Sequence, residues 1–544
     1  MLMQDINHFV TVVTFVLLLV MFFGPPLVLA FLYWSDRRQT QHAVLRNFPI
    51  LGRLRYLLEH IGPEFRQYLF DADLEGKPFS REGYRAIVYA GKYMKTLVSF
   101  GSKRNFDQPG WYVRNAMLPT LTPDLGIDST ASIQTRRYHI DDEGLFGRSE
   151  HLEEVEVAPW TLDDEFAMTL GADLPHPWQM RGVVGMSAMS YGALGRNAIQ
   201  AFSHGLAGAT GSWLNTGEGG ISEHHLVGGG DVVFQIGPGL FGVRDAEGRW
   251  DWQRFVSQAA IPAVRGFELK FHQGAKIRGG HVEGAKVTAE IAAIRGVPEG
   301  RSIDSPNRFT MFESLDDVLD HVARMRAEGG KPVGLKVVVG GPGFLDELAS
   351  MIAARGAGPD WITVDGGEGG SGATYQEMAD SMGLPVASGI VAADDALRRF
   401  GVRDRVRVIA SGKLSSPDRI ALALALGADA VAIARGLMIS VGCIQAQRCH
   451  SNECPVGVAT TDEGLMQALV VDEKKWRVLN YVVTLRAALA SLAAASGLRS
   501  PTEFERRHAV YRDAFGRVYG ADELFPLPAD GAPPSSEPGQ AATG

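Results

Sequence analysis

The chain has 544 residues, 45% of them hydrophobic and 21% charged, and a formal net charge of -9. That composition describes a globular protein with a sizeable core and excludes a dominant basic face of the kind that binds nucleic acid. Glycine is abundant, at 64 residues, and it gathers in short motifs rather than in linkers, as expected where backbone must approach a ligand closely.

In chain order the first feature is apolar. No Asp, Glu, Lys or Arg occurs between Asp5 and Asp36, and "FVTVVTFVLLLVMFFGPPLVLAFLYW" (9–34) exceeds the roughly 20 residues that a bilayer-spanning helix needs. Residues 1–36 are expected to form a transmembrane helix, kinked at Gly24-Pro25-Pro26, with Tyr33 and Trp34 at the interface. Arg37, Arg38, Arg46, Arg53 and Arg55 follow the span and no basic residue precedes it. The positive-inside rule then predicts a single-pass protein of the inner membrane with its bulk in the cytoplasm. A cleaved signal peptide is the alternative, although Met1-Leu2-Met3-Gln4-Asp5 lacks a basic n-region.

Residues 37–160 read as an accessory region without an assignable motif. Beyond them, eight β-branched runs alternate with helical patterns: 182–187, 212–216, 232–237, 266–271, 332–340, 361–365, 406–411 and 429–434. "SLDDVLDHVARMRAEGG" (314–330) and "SSPDRIALALALG" (415–427) carry helix start and stop signals. Eight strands over this length predict an α/β fold of the (β/α)8 TIM-barrel type over 161–462, with a doubly wound open sheet as the structural alternative. A small helical C-terminal extension (463–526) and a disordered Pro/Gly/Ser/Ala-rich tail (527–544) complete the domain plan.

In a barrel, chemistry belongs at the C-terminal ends of strands, and those ends are loaded here. The first run leads into Ser187, Ala188, Met189 and Ser190, a set of mainly small residues on which a flat ring can lie. The next two bring Asn215 and Gln235, amide partners for a ring edge, and Glu218 lies in "NTGEGG". Lys270 and Lys336 interrupt apolar runs and are candidate cations beside that ring. "DGGEGGSGA" (365–373) contributes Glu368 and Gly370, while Ser411, Gly412, Lys413, Ala434, Arg435 and Gly436 close the last two strands, where barrels commonly hold a phosphate. With no P-loop and no dinucleotide fingerprint, the cofactor expected is flavin mononucleotide (FMN).

Cys443, Cys449 and Cys454 hold every thiol of the chain, in a C-x5-C-x4-C spacing with Pro455 after the last. Three thiolates can hold a [3Fe-4S] cluster. A Cys3His zinc site using His450 and three ordinary buried cysteines are the competing readings.

"CHSNECPVGVAT" (449–460), "FQIGPGLFGV" (234–243), "QGAK", "GGEGGSGA" and "ASGKLSSPDRIALALALGAD" together resemble the flavin- and iron–sulfur-binding synthase domain of glutamate synthases, over roughly residues 160–462. The resemblance implies an FMN-containing barrel, a [3Fe-4S] cluster on the three cysteines, and reduction of 2-iminoglutarate, made from 2-oxoglutarate and ammonia, to L-glutamate. It also implies Lys276 and Lys286, with Arg278 between them, as substrate ligands. Lys336, Glu218 and Glu368 are the catalytic candidates, the two glutamates for proton handling or ammonia orientation, with a helix-start or turn carboxylate as their alternative reading. Departures are visible. Ile221 stands where the family motif GEGGE has an acid, and the loop after Lys276 is one residue short. With no cysteine before 443, a glutamine-hydrolysing N-terminal nucleophile is not expected. Ammonia or another amine would come from solution or from a separate amidotransferase subunit, and electrons from a ferredoxin or separate reductase. The alternatives are the same machinery on another amine, as in N-methylglutamate synthesis, or a membrane-tethered flavin/Fe–S electron-transfer module.

Overall fold

A computed structural model describes residues 2–144, 147–276 and 279–528. The expected disordered tail lies, beyond Pro528, outside these residues. The chain divides into two compact units, Met1–Gly83 and Tyr84–Gly544.

The first unit opens with helix α1 (Leu2–Arg38), followed by α2 (Ala43–Asn47) and α3 (Leu51–Phe65). Its stretch His8–Arg38 has a hydropathy of 2.6 and an 18-residue apolar window of which nothing is buried, so one N-terminal helix is long and apolar enough to cross a membrane.

The second unit is built around an eight-stranded parallel sheet: β1 (Val184–Met186), β2 (Trp213–Asn215), β3 (Asp231–Ile236), β4 (Val264–Lys270), β5 (Val333–Val337), β6 (Trp361–Asp365), β7 (Arg407–Ser411) and β8 (Ala430–Ile433). The hydrogen-bonded order runs β2-β3-β4-β5-β6-β7-β8-β1. The remaining seam, β1 against β2, is drawn together by Ser212 Oγ, which donates to Val184 O at 2.7 Å, and by the Trp213 ring lying over Gly185. A Cβ at Gly185 would sit 2.1 Å from that ring, so only glycine allows the approach. The sheet is therefore a nearly closed barrel, and the open-sheet alternative is set aside.

The strands are short, β-branched and buried on both sides, as parallel strands between helices and a filled interior must be. Helix signals behave as expected. Ser314 and Asp317 form a capping box at the start of Leu315–Gly329, and Gly330 ends it at φ 63°. The C-terminal extension is dominated by the 25-residue helix Val471–Ala495. Although apolar enough to span a bilayer, this helix is mostly buried in the protein. It packs on the barrel helix Arg196–Gly208, and its Asn480 is bonded by Thr135 of the hairpin Ile133–Val157. Part of the segment that carried no motif in the sequence is thus clamped onto the barrel.

Candidate functional site

Glu268, in β4, organises the barrel interior. Its carboxyl group is 2% exposed and accepts four hydrogen bonds: Asn215 Nδ2 at 2.8 Å, Gln235 Nε2 at 2.7 Å, Trp361 Nε1 at 3.3 Å, and the Thr363 hydroxyl. A buried carboxyl is tolerated only with such a complete set of partners. The amides of Asn215 and Gln235 are thereby fixed at the ends of β2 and β3, and the Gln235 carbonyl oxygen is left buried with no partner among the described residues. A cavity of about 10 Å³ lies beside these groups, lined also by Ser187 and Lys336.

Next to it, Lys336 (3% exposed) places Nζ 3.3 Å from Ser187 Oγ and 3.4 Å from Asp365 Oδ2. Ser187 Oγ lies 3.0 Å from Ser411 Oγ, and Asp365 accepts the Gly274 N–H at 3.0 Å. Residues from β1, β5, β6 and β7 therefore converge on one ammonium.

A second cation–carboxylate pair stands at the mouth: Lys270 Nζ to Glu218 Oε1 at 2.5 Å. Burial alone would push the Glu218 carboxyl up, but the Lys270 ammonium, with Lys276 and Arg295 behind it, outweighs burial and holds it below the ordinary 4.5. Its second oxygen has no partner among the described residues. Burial lowers Arg295 to about 10; it donates to Tyr191 O at 2.9 Å in the loop after β1.

Lys276 donates to Ala373 O at 2.6 Å, tying the loop after β4 to the loop after β6, and Gln273 donates to Gly370 O at 2.7 Å. Arg278 lies outside the described residues. Glu368 accepts the Val386 N–H with both oxygens, at 3.1 and 3.0 Å, and so caps the helix Val386–Arg399; burial raises its carboxyl above the ordinary range. Arg435 donates to Glu368 O at 2.6 Å and lies against Gly370, bringing the ends of β6 and β8 together. At the end of β7, Gly412 takes φ 138° and Lys413 φ 51°, a bend that turns the backbone beside Gly366.

Lys286 is placed differently from the substrate-facing position that the resemblance implied. Its ammonium donates to Ala193 O (2.7 Å), Cys449 O (3.0 Å) and Ala459 O (3.1 Å), which uses all three of its protons. Burial brings it down to about 8. It bolts the cysteine loop to the loop that leaves β1.

That loop is locally strained. Gln445, Gln447 and Asn452 all have positive φ (60°, 55° and 66°), a region L-residues avoid. Asn452 is held by its side chain, which accepts the Thr461 N–H at 2.8 Å and donates to Ala285 O at 3.2 Å. Burial pushes the Cys443 thiol up to about 11 and raises Cys449 too, and in each case a neighbouring cysteine's charge adds to the rise. The sulfurs thus lie in one another's field. Among the described residues, Glu223, His224 and Glu290 form a separate group whose ligand atoms all lie within 4.8 Å of one another. His450, the fourth ligand of the Cys3His zinc reading, is exposed.

These features define a TIM-barrel protein with a buried polar mouth and an adjoining three-cysteine loop. The model of the conserved region in glutamate synthase matches residues 132–499, and the chain belongs to the glutamate synthase family. It is 49% identical over 502 residues to the glutamate synthase large subunit-like protein YerD of Bacillus subtilis, covering 92% of this chain and 96% of that one. It is 33% identical over 317 residues to the archaeal glutamate synthase [NADPH] of Methanocaldococcus jannaschii, covering 57% of this chain and 58% of that protein. Among solved structures, a flavocytochrome b2 variant with pyruvate bound aligns at TM-score 0.39 and 11% identity (84% and 85% of the chains), and mandelate oxidase at 0.38 and 16% (74% and 86%).

Proposed function

We propose that this protein is a membrane-anchored oxidoreductase that uses FMN and a [3Fe-4S] cluster to reduce 2-iminoglutarate, formed from 2-oxoglutarate and ammonia, to L-glutamate. The observation that carries the reading is the Lys286 bolt. It joins the backbone at Cys449 to the loop beginning at Ser187–Ser190, which supports reading the thiols and the polar mouth as parts of one site.

The residues fit the two groups. The unpartnered Gln235 carbonyl and the loosely held Lys336 ammonium offer a hydrogen-bond acceptor and a positive charge to an electron-rich ring edge. Cys443, Cys449 and Cys454 would hold the cluster. Bound FMN would supply hydride transfer to an imine carbon, and the cluster one-electron delivery. The chain's own part is binding and orientation. Lys270, Lys276 and the paired Glu218 face a dicarboxylate and an amine at the mouth. Glu218, ionised at neutral pH, accepts hydrogen bonds from the nitrogen rather than giving up a proton. Glu368 acts first through the helix it caps. Ser411, Gly412, Lys413, Ala434, Arg435 and Gly436 are the proposed phosphate end.

The archaeal relative is named for NADPH, but this chain spans about 58% of its length. On the sequence motifs, which carry no dinucleotide fingerprint, a ferredoxin or separate reductase is proposed as donor, with a separate amidotransferase as one source of ammonia. The proposed setting is the inner membrane, held by α1. Ile221, a half-buried apolar residue packed on the core where the family motif has an acid, favours a second reading in which the amine is larger than ammonia, such as methylamine. Anaerobic stopped-flow tests both readings. Reduced protein mixed with 2-oxoglutarate should reoxidise its flavin only when ammonia, or for the second reading methylamine, is present. No reoxidation with either amine would defeat both.

A further inference from the structure

The unit Met1–Gly83 exposes an apolar face that no part of the described chain covers. In α3, Leu51, Leu54, Leu58 and Phe65 follow one another at three-, four- and seven-residue spacing, on one side of the helix. All four are exposed, Leu51 by 75% and Leu58 by 56%. Arg53, Glu59, His60 and Glu64 point away from that side, and Arg55, at its edge, is paired with Glu59 at 2.7 Å.

The beginning of α3 is fixed beside the end of α1. Asp36, in the last turn of α1, is 1% exposed. It accepts Arg53 Nη2 at 2.6 Å, Arg53 Nε at 3.0 Å and the Ile50 N–H at 2.9 Å. Arg53 and Ile50 belong to the first turn of α3 and its N-cap, so a bidentate ion pair holds the elbow. Gly52 makes a tight contact with α2, where a Cβ would meet Leu45 at 3.1 Å. If the last turn of α1 leaves the hydrocarbon at Trp34, whose ring Arg38 covers at 4.0 Å, then α3 starts at headgroup depth.

We infer that α3 is an interfacial helix that lies along the bilayer surface next to the span, with its leucines in the acyl boundary and its charges toward water. This rests on the membrane-anchor reading and adds to it a second lipid-binding element. The occupant is the bilayer rather than another protein because α3 follows the span directly and is tied to its end by the Asp36–Arg53 elbow. Arg37, Arg38 and Arg46 around that elbow also match anionic headgroups.

The test uses the full-length protein in nanodiscs of phosphatidylcholine and phosphatidylglycerol. A nitroxide amino acid is placed singly at Phe15, Leu58 or Glu59, leaving the three cysteines untouched. Collisions with dissolved oxygen and with a water-soluble nickel chelate are read from power saturation. The inference predicts that the Leu58 probe, like the Phe15 probe, favours oxygen several-fold over the Glu59 probe, at a shallower depth than Phe15. Equal nickel access at 58 and 59 with Phe15 still in lipid would overturn the interfacial helix while leaving the anchor intact. A Leu58 probe shielded from both reagents would mean a protein partner or second copy covers the face, and also overturns it. Nickel access at Phe15 would remove the anchor itself.

Discussion

Lys336 is the residue on which the flavin reading turns. Its ammonium is held at 3.3–3.4 Å by two groups, a loose grip for a buried charge, and it should strengthen on binding an anionic partner. Replacing it with Met keeps the volume and removes the charge. The loss expected is about 1.5 kcal/mol or more, roughly tenfold in flavin affinity, read as flavin fluorescence released on dilution, with iron content unchanged. Glu218 gives a pH signature. Its native carboxyl lies below the ordinary 4.5, so the stability it contributes is present above that value and is lost as pH falls through the depressed native one. Chemical denaturation of wild type and Glu218→Gln should differ above pH 4.5 and converge as pH falls through the depressed native value. Parallel curves across that range would mean that Lys270 does not hold the charge.

At the scale of elements, a buried ammonium ties the cysteine loop to the loop that leaves β1. Lys286→Met leaves three carbonyls without their donor, each worth about 1–3 kcal/mol if it stays buried. It should lower iron and acid-labile sulfide per chain while FMN content stays near wild type. Loss of both together would mean that the variant has unfolded the barrel, and Lys286→Arg then serves as the conservative control. Strands were the most legible elements in the sequence. All eight runs became barrel strands, because a strand buried on both faces must be a short apolar run bounded by turn residues. Contacts between elements were harder. Glu268 sits in plain view in "GFELKF", a charge inside an apolar run two residues before Lys270, yet its role as a four-fold acceptor depends on Asn215, Gln235, Trp361 and Thr363 from three other strands. The path of Lys286 was likewise invisible, since its partners lie 93 to 173 residues away. Glu368 shows the opposite case: a helix-start carboxylate was already one of its sequence-level readings, and the structure puts it on Val386 N.

For the whole molecule, the division at Gly83 has a consequence. The core of the second unit, from the barrel to the helix Val471–Ala495, draws on residues after 84. A chain lacking residues 1–78 keeps the helix Arg81–Tyr93 whole and should be soluble without detergent, with its flavin absorption retained. Aggregation of that chain would show that the first unit is needed for folding rather than for placement. The central claim, that the three thiols of the cysteine loop and a cationic barrel mouth form one redox site, is tested most directly by absorption and electron paramagnetic resonance on anaerobically purified full-length protein. The account predicts flavin bands together with the resonance of an oxidised three-iron cluster, near one of each per chain. A colourless protein, or one carrying zinc in place of iron, would contradict it.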